Sequence, residues 1–148
     1  SRLMTGRDFL KSLREDNFAL KSLEDRIVEL RNNLYRVKTI NYSKDRVDGG
    51  VPSDIADRIG MIQSLVDEAN DRWDSLIKKK RMALSIIFEI KDGRYQAILE
   101  ERYINMRSWS FIARRIGYEE SQTYLLHKKG LNVFDRIFDE REKVRSES

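Results

Sequence analysis

The chain has 148 residues, 36% of them charged and 40% hydrophobic, with 7 Gly and one Pro, a balance that favours long solvated helices over a sheet protein. It has no Cys and one His, His127, which excludes disulfides, thiolate sites and multi-histidine metal sites, so neither a metal nor another cofactor is expected. A net charge of +4, from 29 basic and 25 acidic residues, permits nucleic-acid binding without requiring it, and no apolar run approaches the ~18 residues of a membrane span.

The first predicted helix starts after Thr5, which is placed as its N-cap with Asp8 at the capping-box position. Phe9, Leu13, Leu20, Leu23, Ile27, Leu30, Leu34 and Val37 then recur at threes and fours once Asp16 takes one seam site. That is the period of a coiled coil. After "GGVPSD", Pro52 blocks backward extension and Ser53 or Asp54 caps a second helix, expected to stop near Asp92-Gly93. Its seam reads Ile59, Ile62, Val66, Ala69, Trp73, Leu76, Lys80, Ala83 and Ile87, with Ile55 and Ile90 at its ends.

Folding the chain back near Asp48 matches the two seams: Phe9 with Ile87, Leu13 with Ala83, Leu23 with Trp73, Val37 with Ile59, each pair of numbers summing to 96. One rung is charged on both sides, Asp16 opposite Lys80. This predicts an antiparallel hairpin over 1–91 with Asp16 and Lys80 as the pair that sets its register. Leu10, Phe18, Leu65, Ile77, Leu84 and Ile86 lie off the seam and need burial on the next domain or on a second copy, so a homodimer is expected. The run Lys78 to Arg81 wraps the helix and reads as a solvated face.

A three-helix unit follows over 92–138. Tyr95, Ile98, Leu99 and Tyr103 share one helical face; Asn105-Met106-Arg107 breaks it, and Ser108 caps the next segment. There Trp109, Ile112, Ala113 and Ile116 face inward, and Gly117 supplies the positive φ of a tight turn. A third helix opens at Glu119 or Glu120, with Thr123, Leu126, Gly130 and Phe134 inward, and Ala113 and Gly130 small where helices cross. His127 is expected to pack or hydrogen-bond, Tyr103 and Trp109 to be core aromatics, and Phe111 to be exposed. A charged tail, 139–148, completes the chain. The fold class is all-α: a long antiparallel coiled-coil hairpin, then a helix-turn-helix.

Such a unit inserts its last helix into the DNA major groove. Ser121, Gln122, Tyr124 and Leu125 are the expected base-contacting residues: Gln can bond two edges of adenine, and Leu can pack on a thymine methyl. Arg107, Ser108, Arg114, Arg115, Lys128 and Lys129 are expected at phosphates.

"LEERYINMRSWSFIARRIGYEESQTYLLHKKGLNVF", residues 99–134, resembles region 4 of the sigma-70 family. It is more closely similar to the late transcription regulators of Gram-positive phages, the RinA and ArpU type. The matching residues are Leu99, Arg102, Tyr103, Ser108, Trp109, Ile112, Ala113, Gly117, Tyr118, Gln122, Tyr124, Leu126 and His127. Glu119 departs from a capping Ser, Thr123 from Val, and Leu125 stands where Arg is common. The resemblance implies a phage or prophage regulator that binds double-stranded DNA in the cytoplasm of a bacterial host and uses the hairpin to dimerise or to touch RNA polymerase. Two other readings fit the pattern: a DNA-packaging module like a small terminase subunit, and a protein-interaction module. No set of catalytic groups is recognisable, so an enzyme is not expected.

Overall fold

The computed structural model describes residues 4–44 and 53–148, and within them every side chain outside 37–44. The fold is all-α. Helices α1 (Gly6–Lys44) and α2 (Ser53–Ile87) are followed by α3 (Gly93–Leu99), which continues as one π turn (Glu100–Ile104), then α4 (Trp109–Ile116) and α5 (Glu120–Glu147). The expected reversal near Asp48, the stop at Pro52 and the side chain of Val37 lie outside the described residues. The chain divides into two compact units, Asn17–Ser75 and Ser1–Asp16 with Leu76–Ser148.

In Asn17–Ser75, Leu20 and Ile27 of α1 and Ile55, Ile62 and Ala69 of α2 are buried, each set spaced by sevens. They form one stripe of the coiled-coil period. The other stripe is only part-covered, with Ile59 and Trp73 at 40% and 38% exposure. The Trp73 indole Nε1 donates to Glu24 at 3.2 Å, so the residue is polar at its tip and apolar at its base.

The second unit is built on a buried face of α5. At the start of α1, the Asp8 amide donates to Thr5 Oγ1 at 3.2 Å and the Thr5 amide to Asp8 Oδ2 at 3.4 Å, the reciprocal pattern that satisfies two free helix donors. Gly6 then lies so close to α5 that a Cβ there would stand 2.9 Å from Phe134 and 3.0 Å from Phe138. Arg7 fixes the contact, with its amide and its Nε each 2.7 Å from the Asp135 carboxylate. Behind these polar links Phe9, Leu10, Leu13, Ala83, Ile86, Ile87, Ile98, Leu99, Phe134 and Phe138 form the core.

Three expectations are corrected here. Asp16 pairs with Lys79 at 2.5 Å, not with Lys80. Both side chains are well exposed, 47% and 34%, so the pair sits on the flank, where charges keep their water, and a lysine stem is long enough to reach from the neighbouring position. The register it was expected to set rests instead on side chains such as Leu10, Leu13, Ala83 and Ile86, all fully buried. Second, α2 stops at Ile87, ahead of Asp92-Gly93. Ile86, Ile87 and Ile90 keep the spacing of one buried helical face, with Phe88 62% exposed behind it. The backbone tightens, however: the Glu89 amide donates to the Ile86 carbonyl and the Ile90 amide to Ile87, each at 3.0 Å and three residues back. The Gln96 side-chain amide donates to the Ile90 carbonyl. Asp92 caps α3 instead, and the hydrogen-bonded Arg94 guanidinium holds its carboxyl down at about 2. Third, residues 139–148 are no separate tail: α5 runs on to Glu147, and Arg141 binds the Ser85 hydroxyl at 2.6 Å and Glu89 at 2.8 Å.

The two glycines of α1 and α2 make opposite predictions. Gly60 lies inside α2 with nothing within 4 Å of an added Cβ, so Gly60→Ala gains helix propensity and stabilises by about 1 kcal/mol. Gly6→Ala forces Phe134 and Phe138 apart and costs about 1–3 kcal/mol. Urea midpoints read both, and a gain in Gly6→Ala would overturn the packing described for α1 on α5.

Candidate nucleic-acid interface

The surface of interest is built by α4 and α5, and their placement begins at the end of α3. In the π turn the Asn105 amide donates to the Glu100 carbonyl at 3.0 Å, and the Arg107 amide to Glu101 at 2.9 Å. The Arg102 carbonyl accepts from Arg14 Nη1 at 2.8 Å, a cation at a helix carboxyl end. Met106 takes φ 60, a positive angle uncommon outside glycine, and the chain turns sharply there. The Ser108 hydroxyl oxygen then accepts from the Phe111 amide at 3.2 Å and starts α4.

Ile112 and Ala113 are the buried face of α4. Gly117 ends it at φ 77, and its amide and that of Tyr118 both donate to the Ala113 carbonyl, at 3.0 and 3.1 Å. Glu119 precedes α5 without a side-chain cap, while Thr123 Oγ1 donates back to the Glu119 carbonyl at 2.9 Å. Further along, Gly130 crosses α3 with the Tyr95 Cβ only 3.3 Å from where its own Cβ would be. Gly130 is thus the crossing point with α3, whereas Ala113 is the small residue of α4.

Between α4 and α5 lies an aromatic cluster. Arg102 stands over the Trp109 ring at 4.4 Å and donates from Nη1 to the Arg107 carbonyl at 3.1 Å, tying the connection to α4. The Trp109 ring meets His127 edge-on at 4.6 Å and Tyr124 at 5.5 Å. Tyr103 and His127, both buried, join through the Tyr103 hydroxyl and His127 Nε2 at 2.7 Å.

His127 Nδ1 is buried and has no partner. In either neutral tautomer the 2.7 Å contact is one hydrogen bond between the Tyr103 hydroxyl and Nε2, and Nδ1 adds none. Burial, reinforced by the charges of Arg102, Arg7 and Lys128, pushes the His127 pKa down to about 4. His127 is therefore a packing and hydrogen-bonding residue, buried where Leu126 was expected; Leu126 is only half-buried, because the 3.6-residue drift of the helix brings position 127 under Trp109.

Ser121, Gln122, Tyr124 and Leu125 are all exposed, Leu125 at 58%. Ser121, Leu125 and Lys129 fall four apart and share one face, with Gln122 beside them. Tyr124 is partly committed to the cluster, and Lys128 lies over its ring at 5.1 Å. Arg107, Ser108, Arg114 and Arg115 are exposed around α4. Arg107 stacks on Phe111 at 4.6 Å, so Phe111, expected to be bare, is half-buried under a guanidinium. Arg115 Nε lies 3.8 Å from Glu101. Glu101 itself went unnoticed in the sequence: it is buried and accepts from Asn105 Nδ2 at 2.6 Å, an i,i+4 pairing that the spacing alone could have suggested.

No family model matches the chain, and no curated protein or solved structure matches it either. Among the described residues no cluster of three or more His, Cys, Asp or Glu could hold a metal ion, and no helix is long and apolar enough to cross a membrane.

The depressed His127 pKa sets a pH dependence. As pH falls, the unfolded chain takes up this proton near 6.5, but the folded chain only near 4. The stabilisation is complete above the higher value and is lost across the window between the two, at up to about 1.4 kcal/mol per pH unit. Urea unfolding across that window should therefore show falling stability that His127→Gln flattens; equal slopes in both proteins would refute the assignment.

Proposed function

We propose that this chain is a non-catalytic DNA-binding transcription regulator of the phage late-gene type, whose α5 enters the major groove of duplex DNA. What supports this reading is the exposed row Ser121, Gln122, Leu125 and Lys129, set on the face of α5 opposite Thr123, His127, Gly130 and Phe134 and flanked by Arg107, Arg114 and Arg115 around α4. A groove about as wide as one helix accepts such a row without rearrangement. The Ser108 oxygen is engaged as a cap acceptor, and its hydroxyl hydrogen remains able to donate to a phosphate. In the same reading α1 and α2 serve to pair two copies or to meet RNA polymerase, for which the exposed Phe18, Val28 and Tyr35 of α1 offer apolar contact. The place of action is then the cytoplasm of a bacterial host.

Selection of bound duplexes from a random pool, beside a mass measurement in solution, tests the whole reading. Gln122→Ala should relax preference at one base pair, by about 1–3 kcal/mol of discrimination. Lys129→Ala should weaken all duplexes alike and lower the salt slope by about one phosphate contact. Binding with no preference over random duplex, from a folded protein, would remove the regulator reading, and a closed ring of many copies would favour a packaging role.

A further inference from the structure

We infer that the duplex read by this face is A·T-rich where α5 meets it, and that Leu125 reads the 5-methyl group of thymine. The inference rests on the DNA-binding reading above and gives its ligand a composition.

The basis is which chemistry the front of α5 presents and which it lacks. Guanine is read chiefly by Arg or Lys, whose donors match its O6 and N7 acceptors. Residues 119–127 contain neither. Of the nearby guanidiniums, Arg102 lies over Trp109 and bonds the Arg107 carbonyl, Arg107 lies over Phe111, and Arg115 faces Glu101, while Arg114 is exposed on α4, off the row that α5 presents and on the flank assigned to phosphates. Lys128 is drawn over the Tyr124 ring, and Lys129 follows Ser121 by eight residues, about 12 Å along the axis.

Gln122 and Leu125 are left at the front, both exposed and close on one face. The Gln122 amide has one donor group and one acceptor, the complement of adenine N6 and N7. Leu125, 58% exposed, brings an isobutyl group into a groove whose only apolar feature is the thymine methyl. Opposite any other base edge, that side chain would strip water from polar atoms and return no hydrogen bond. Glu119 and Glu120 do not reverse the preference. A carboxylate would favour cytosine N4, but Glu119 precedes the helix and Glu120 lies off the row that carries Gln122 and Leu125.

The test uses the full chain and the best duplex from a random pool. Each thymine in that site is replaced singly by uracil, which keeps the pairing and deletes one methyl, and affinity is read by fluorescence anisotropy. Loss of one buried methyl contact should weaken binding about fourfold at one or two positions. Leu125→Ala should lose the difference between thymine and uracil there, while Gln122→Ala should keep it. The uracil arm needs no protein variant, so it decides the matter even where Leu125→Ala fails to fold. A site dominated by G·C pairs, or equal affinity for thymine and uracil duplexes, overturns this inference and leaves DNA binding standing. Absence of any duplex preference overturns both.

Discussion

Everything about the candidate surface depends on how α5 is rotated about its own axis, and that rotation is fixed where Gly130 meets Tyr95. A residue with a Cβ would hold α5 away from α3, because the Tyr95 Cβ lies 3.3 Å from the position it would take. With that contact made, Thr123, His127, Gly130, Phe134 and Phe138 fall on the buried side at spacings of three and four. The opposite face then carries Ser121, Leu125 and Lys129 by necessity. Nothing local to those three residues orients them; they are oriented by the packing behind them.

The polar groups within this packing are handled unequally, and the differences follow from cost. Arg102 keeps its charge because an aromatic face and a carbonyl replace its water. Burial still pulls its pKa down, as it does for Arg14, which spends its guanidinium on the Arg102 carbonyl. His127 instead stays neutral, since burial and the charges of Arg102, Arg7 and Lys128 disfavour its cation and its second nitrogen has no partner to offset them. The π turn belongs to the same economy of hydrogen bonds: it shifts the carbonyls of Glu100 and Glu101 to amides five and six residues on, and allows the reversal at Met106.

The helical character of the chain was legible because periodicity and end signals agreed: Thr5 with Asp8, Ser108 before Trp109, and Gly117 in the left-handed region are each local rules with one solution. The exposed positions of α5 were legible for the same reason, since a buried face fixes its opposite. What failed depended mostly on distance. The choice of Lys79 over Lys80 turns on side-chain reach, which spacing does not record. The early end of α2 comes with a carbonyl taken by another element, since the Ile90 carbonyl accepts from the Gln96 side chain of α3. The extension of α5 to Arg141, which reaches Glu89, is a contact between elements that composition treats as separate, whereas Arg107 and Phe111 are only four residues apart, a local pair that periodicity alone does not mark.

The charge layout bears on how such a surface would work. Glu119 and Glu120 favour the start of α5 through its dipole, yet they stand where a phosphate would approach. Offsetting them are Arg107, Arg114 and Arg115 around α4 with Lys128 and Lys129 on α5, and of these Arg115 already shares a carboxylate. On the proposed reading few phosphates are neutralised, so the sequence-independent part of the affinity is small. On the same reading discrimination comes from base edges, and a second copy on an adjacent half-site would supply affinity, because two weak heads joined rigidly bind far more tightly than either one alone. A surface with little charge and an apolar residue at its front gives up general affinity for DNA, and loses least when its ligand is a particular sequence.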